Sequence, residues 1–331
     1  MENYKPPFSI TNEMLELTAS ISEKVGRISS RKELETRPHL RRNNRIESIH
    51  ASLKIEANSL SISEVRDIID GHAVLGNSDE IKEVKNAYNA YEQLDSLDPF
   101  KIEDLKKAHA IMTGGLLKES GVFRSGNEGV FANGKCIFVA PPPDLVPELM
   151  ENLFDWMKEA SSTLHPLILS AVFHYEFVFI HPFSDGNGRI ARLWHTLLLY
   201  KWREIFAYIP IESQIEKFQE SYYEAISKCH INGDSTIFIE FMLNQIDRIL
   251  DDLILRFGRE NGATTEYVKR MLSVMEFGIP YTANSIMEKL GLKSKETFRK
   301  NYMNPAIAQG FVKMSIPDKP NSRNQSYIKI G

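Results

Sequence analysis

Cysteine is scarce. Only Cys136 and Cys229 occur in 331 residues, and they lack CxxC spacing. That excludes a disulfide framework and a cysteine-built zinc site, and it sets the expectation of a reducing, cytoplasmic environment. A long apolar run is missing too. The nearest approach, residues 167–183, is interrupted by Ser170, His174, Tyr175, Glu176 and His181, short of the ~20 clean apolar residues a membrane span needs. Residues 1–7 carry no apolar core followed by a cleavage site, so no secretion signal is expected. The chain contains neither a phosphate-binding GxxxxGK[S/T] loop nor a zinc-binding HExxH helix. Nor does one sign of charge dominate. Lys and Arg number 40 against 44 Asp and Glu, and 42% of residues are apolar, the balance of a folded globular protein of two or three modest domains.

The charge is nevertheless segregated. Residues 281–331 hold nine Lys/Arg and three Asp/Glu, a net of +6, which leaves a net of −10 on the other 280 residues. A basic tail on an acidic body suggests two surfaces with different work.

Helical periodicity dominates the body. Residues 10–25, 41–60, 62–71, 79–94, 100–113, 145–160, 167–180, 190–202, 218–231 and 236–256 read as helices, with Ser61 and Glu64 spaced as a capping box. Residues 130–139 read as a β-hairpin around Asn133-Gly134, since both turn residues tolerate positive φ. After a linker near 261–263, three helices and two alternating strands outline a winged helix-turn-helix. Its third helix, from Ser294, carries Lys293, Lys295, Arg299 and Lys300 near its start. Asn304-Pro305 interrupts it, and Lys319 and Arg323 lie in the wing loop. Such cations could contact DNA phosphates; holding a protein target or a second copy of the chain remains equally open.

One stretch concentrates chemistry: His181-Pro182-Phe183-Ser184-Asp185-Gly186-Asn187-Gly188-Arg189, followed by Arg192. Gly186 and Gly188 let backbone N–H groups approach a ligand, and the helix that starts there turns its positive end toward the same spot. Arg189 and Arg192 at a helix start oppose the dipole by ~0.3–1 kcal/mol each, a cost an external anion would offset. Phosphate suits the planar guanidinium fork. Asp185 would repel phosphate unless a divalent cation lay between them, and Mg²⁺ is the usual choice. His181 is the titratable base near neutrality.

These residues resemble the signature of the Fic family, HPFx[D/E]GNGR, at every specified position, and Arg192 matches the second arginine of its longer form. The resemblance covers roughly residues 46–256. It implies a mainly helical Fic-type bundle with a small β-hairpin flap, divided as an N-terminal helical region (1–98), a catalytic core (99–260) and the winged-helix domain (264–331). It implies Mg²⁺-ATP-dependent transfer of AMP to a Ser, Thr or Tyr hydroxyl of a target protein or of the chain itself. In that reading His181 is the general base, Asp185 holds Mg²⁺, and the backbone of Gly186, Asn187 and Gly188 cradles phosphate. Arg189 and Arg192 grip the β/γ end, Phe183 packs in the core to fix the loop, and Tyr222 and Tyr223 line the adenine pocket. The hairpin would pair with an extended target segment.

Ser52 and Glu56 stand four apart on one helix face and resemble the family's inhibitory motif [S/T]xxxE[G/N], whose glutamate pairs with the second arginine, here Arg192. Ala57 stands where Gly or Asn is expected, and Asn58 follows one place late. Two other activities fit the same residues: removal of AMP from modified protein, with Glu56 positioning water, and a nucleotide-sensing DNA-binding regulator.

Overall fold

The computed structural model describes residues 4–30, 38–132, 135–261, 265–317, 319–320 and 322–330. Its contacts divide into two compact units, residues 1–250 and 251–331. The hairpin turn Asn133-Gly134 and linker residues 262–263 lie outside the described residues.

In chain order the elements are α1 (Asn12–Ser30), α2 (Pro38–Ile55), α3 (Ile62–Ile69), α4 (Ser78–Tyr91), α5 (Ile102–Thr113), the antiparallel pair β1 (Gly129–Ala132) and β2 (Lys135–Val139), α6 (Val146–Ala160), α7 (Pro166–Ile180), α8 (Asn187–Trp202), α9 (Ile211–Lys217), α10 (Gln219–Asn232) and α11 (Thr236–Asn261). The centre of the first unit is α7. Its residues are apolar nearly all round, so no face of it gains from water, and twelve of them are buried. Pro166 sits in the first turn, where its missing N–H costs nothing, and the His165 side chain caps Leu167 N–H. Helix α8 packs along α7 and buries Trp194, Leu193 and Leu197 between neighbours. Helix α1 is tied to α11 by Lys24–Asp247 at 2.8 Å and Ser20–Asp247 at 2.7 Å. The Ser61/Glu64 capping box forms at the start of α3, with both reciprocal bonds present.

Two boundaries differ informatively from the sequence reading. Helix α2 ends at Ile55, not at Leu60, because Ala57 turns left-handed with φ +66°. Asn58 N–H then reaches back to Leu53 O (3.1 Å) and Ala57 N–H to Lys54 O (3.0 Å), the paired closing bonds of a Schellman turn. Helix α8 begins at Asn187, with Gly186 at φ +81° as its N-cap. Among the described residues no helix is long and apolar enough to cross a membrane.

In the second unit α12 (Glu266–Val274) and α13 (Ala283–Leu290) have side-chain caps from Thr265 and Thr282. They pack with a broken helical run: α14 (Lys295–Thr297), a π-type segment Phe298–Met303 and α15 (Asn304–Ala308). Asn304-Pro305 therefore splits this helix, with Pro305 in the first turn of the last piece, where a missing N–H is tolerated. Val268, Met271, Ile286, Phe298 and Phe311 share a core. Strand β5 (Tyr327–Lys329) is flanked by β4 (Val312–Met314) and by β3 (Pro280–Tyr281), a two-residue strand too short to show alternation in sequence.

Candidate active site

The loop between α7 and α8 carries the chemistry. The chain leaves α7 through His181 itself, which takes the left-handed conformation (φ 51°, ψ 58°). Pro182 follows, as suits a chain that must not continue the helix. His181 Nδ1 lies 3.4 Å from Val178 O, so the Nδ1–H tautomer leaves Nε2 able to accept a proton. Burial lowers the pKa of His181, which keeps the ring neutral and basic near pH 7.

The turn is held by its own side chains. Asn187 bonds both peptide groups of Phe183, accepting from its N–H (2.9 Å) and donating to its carbonyl (2.7 Å). Phe183 is fully buried and stacks on His109 with ring centroids 3.7 Å apart. Gly121 N–H donates to His109 Nδ1 (2.8 Å), so the proton sits on Nε2 and is given to Asp185 O (2.9 Å). Burial pushes the His109 pKa down to about 4. Arg124 donates to the carbonyls of His181 (2.7 Å), Gly126 (2.8 Å) and Pro141 (2.5 Å), and so ties both ends of the β1–β2 hairpin to the histidine. His109 and Arg124 were not singled out in the sequence. His109 lies 76 residues from the Asp185 carbonyl and Arg124 57 from the His181 carbonyl, so no local spacing ties either one to the loop.

The two arginines point to different partners. Arg192 is 2% exposed. It donates from Nε to Ser52 Oγ (3.0 Å) and from Nη2 to Ser52 O (2.9 Å) and Glu56 Oε1 (2.7 Å). The expected trio Ser52, Glu56 and Arg192 is thus assembled across 140 residues of sequence. Glu56 also lies directly over Gly188, where a Cβ would collide with its Oε1. A carboxylate therefore covers the first turn of α8, where the helix dipole draws anions. Arg189 donates instead to Glu83 Oε1 (2.9 Å) and to Asp185 Oδ2 (3.1 Å). Asp185 takes a further bond from Gly186 N–H (2.6 Å), and its side chain stays 62% exposed.

Among the described residues no group of three or more His, Cys, Asp or Glu could enclose a metal. One exposed carboxylate is the donor set expected where Mg²⁺ is shared with phosphate oxygens, and Asp185 fits it. Tyr222 is buried, with its hydroxyl 3.0 Å from His174 Nε2, whereas Tyr223 is half exposed with its ring 5.2 Å from that of Tyr222. Tyr222 also lies near enough to Arg192 for the guanidinium charge to act on its hydroxyl.

A family model described as Fic/DOC family matches residues 99–199, and one described as the C-terminal domain of the Filamentation induced by cAMP protein Fic-like matches residues 266–328. A crystal structure of a Fic family protein from Desulfovibrio desulfuricans G20 is 40% identical, covers 99% of both chains and superposes with a TM-score of 0.74. The curated relatives named protein adenylyltransferase Fic from Drosophila willistoni and Culex quinquefasciatus are 33% and 31% identical over 211 and 215 residues, 61% and 62% of this chain. The chain spans about two fifths of the length of these curated relatives, 40% and 41%.

Proposed function

The chain belongs to the Fic family, and on that premise we propose that it transfers AMP from ATP to a protein hydroxyl and restrains this activity with Glu56. The observation that carries the reading is the Glu56 carboxylate, bonded to Arg192 at 2.7 Å and seated over Gly188 at the start of α8. An internal anion stands where a nucleotide phosphate would be drawn. With Glu56 displaced, Arg192 and the N–H groups of the α8 start would take the terminal phosphates. His181 Nε2 would accept the proton of the target hydroxyl while its oxygen bonds to the α-phosphorus. The bond to the bridging oxygen breaks, and pyrophosphate leaves. Asp185 would hold Mg²⁺, which supplies neutralisation of phosphate charge. The hairpin would present the target segment by backbone pairing.

The same division of the chain into an inhibitory region (1–98), a catalytic core (99–260) and a winged-helix tail (264–331) belongs to this proposal. Exposed Lys293, Lys295, Arg299, Lys300 and Arg323 favour nucleic acid as the tail's partner; absent DNA retention, or retention that does not weaken with added salt, would remove that part.

The test uses wild type, Glu56→Gly and His181→Ala with Mg²⁺ and ATP labelled on the α- or γ-phosphate. Expected is covalent α-label, strongest in Glu56→Gly and reduced about 10²–10⁴-fold in His181→Ala. Covalent γ-label would replace AMP transfer by phosphate transfer. Release of AMP from a modified protein without any labelling would reverse the direction of the reaction.

A further inference from the structure

We propose that Glu83 is a positioning residue for Asp185, acting through Arg189, and that Asn58 makes this hold depend on the seating of the inhibitory segment. The proposal rests on the nucleotide-site reading above. Arg189 is not placed like Arg192. Its side chain is 4% exposed, and each terminal nitrogen donates to a carboxylate, Nη1 to Glu83 and Nη2 to Asp185. Arg189 acts on Asp185: it fixes Oδ2 while Gly186 N–H fixes Oδ1, and the carboxylate is oriented with its outer side open to solvent. Groups that hold a metal-binding carboxylate in this way govern its affinity for the ion.

Glu83 in turn is held from both sides. Its Oε1 accepts from Arg189 and its Oε2 from Asn58 Nδ2 at 2.8 Å. Asn58 is the residue that closes the end of α2 after Glu56 and the left-handed Ala57. Ser59 adds bonds from its N–H (3.1 Å) and hydroxyl (2.8 Å) to the Glu80 carboxylate, one turn earlier on α4. Helix α4 is itself anchored to the end of α5, by Lys82 to Gly115 O and Asn86 to Gly114 O, both 3.0 Å. The short segment 52–58 therefore touches both arginines of the loop: Arg192 directly through Ser52 and Glu56, and Arg189 through Asn58 and Glu83.

The experiment measures ATP binding to the full chain by calorimetry, with and without Mg²⁺, in a Glu56→Gly background. Expected for Glu83→Gln is an increase of about tenfold in the Mg²⁺ concentration that supports half-maximal binding, with metal-free ATP affinity unchanged. Glu83→Asp should recover most of the loss, and Asn58→Ala should shift the Mg²⁺ requirement in the same direction by a smaller factor. Equal shifts with and without Mg²⁺, or no shift, overturn the proposal; an inert Asn58→Ala overturns its coupling to the inhibitory segment. If the Glu56→Gly chain binds no ATP, the nucleotide reading falls, and melting temperatures decide this inference separately. Asn58→Ala and Arg189→Lys, which share no contact except through Glu83, should then be non-additive; additivity overturns it.

Discussion

Arg124 holds His181 by its main chain, not its ring. The Nε–H of Arg124 meets His181 O at 2.7 Å, and Arg124 N–H meets Pro182 O at 2.9 Å. The left-handed turn that aims the imidazole is thereby fixed by a buried cation bonded to several carbonyls. Arg124→Ala is expected to lower AMP transfer by about 10²-fold through misplacement of the base, with ATP affinity little changed. Calorimetric ATP binding beside the transfer rate checks it; a parallel loss of binding would refute the assignment.

Ala57 carries the left-handed turn without the freedom of glycine, at φ +66°, a conformation costing a Cβ-bearing residue about 1–2 kcal/mol. Ala57→Gly is expected to stabilise the folded protein by about 0.5–1 kcal/mol, after allowing for the greater unfolded-state entropy of glycine. The same change firms the end of α2 and should slow transfer. A melting curve and one rate measurement suffice, and a lower melting temperature would contradict the prediction.

Burial lowers the pKa values of His109 and His195, each to about 4, and lowers that of His174 well below its ordinary value. Folding thus favours their neutral forms, and the stability they contribute above pH 6.5 is lost as pH falls toward 4. Glu176 works oppositely. Burial lifts it to about 7, and Tyr4 donates to it at 2.6 Å. Its contribution is complete below pH 4.5 and is lost as pH rises through 7. The melting temperature should fall on acidification from pH 6.5, and fall more steeply in Glu176→Gln, which should also melt higher than wild type at pH 8. Equal slopes in the two proteins would rule out Glu176 as the opposing group.

Tyr222 and Tyr223 should separate by phenotype. Tyr222 is buried with its hydroxyl on His174, so Tyr222→Phe is expected to cost about 1 kcal/mol of stability, the ordinary worth of a buried hydrogen bond. Tyr223 is half exposed, and Tyr223→Ala is expected to weaken ATP binding at unchanged melting temperature. Identical effects of both changes would place the two side chains in one role.

The loop from His181 to Arg192 was legible because its residues are contiguous and each type restricts the chemistry. The helical body was legible from periodicity and from punctuation such as Ser61, Glu64 and Gly186. The missed residues share one property: Glu83 finds Arg189 across 106 positions, His109 finds Asp185 across 76, and Arg124 finds His181 across 57. A lone Glu, His or Arg on an amphipathic background carries no spacing signal, and its partner is set by how the helices stack. The end of α2 was misplaced for a local reason. Alanine is a strong helix former, and only the closing hydrogen bonds to Leu53 and Lys54 force Ala57 out of the helix.

If Glu56 restrains transfer as proposed, its contact with Arg192 makes inhibitor and enzyme one molecule. A separate inhibitory protein is lost on dilution, so an enzyme restrained that way becomes active when scarce. A carboxylate on the same chain acts at a fixed effective concentration. One copy of the protein would be as quiet as a thousand, and no excess of partner would have to be maintained. Relief must instead come from nucleotide or target binding that outweighs the closed state, for which a hundredfold restraint sets a threshold of about 2.7 kcal/mol.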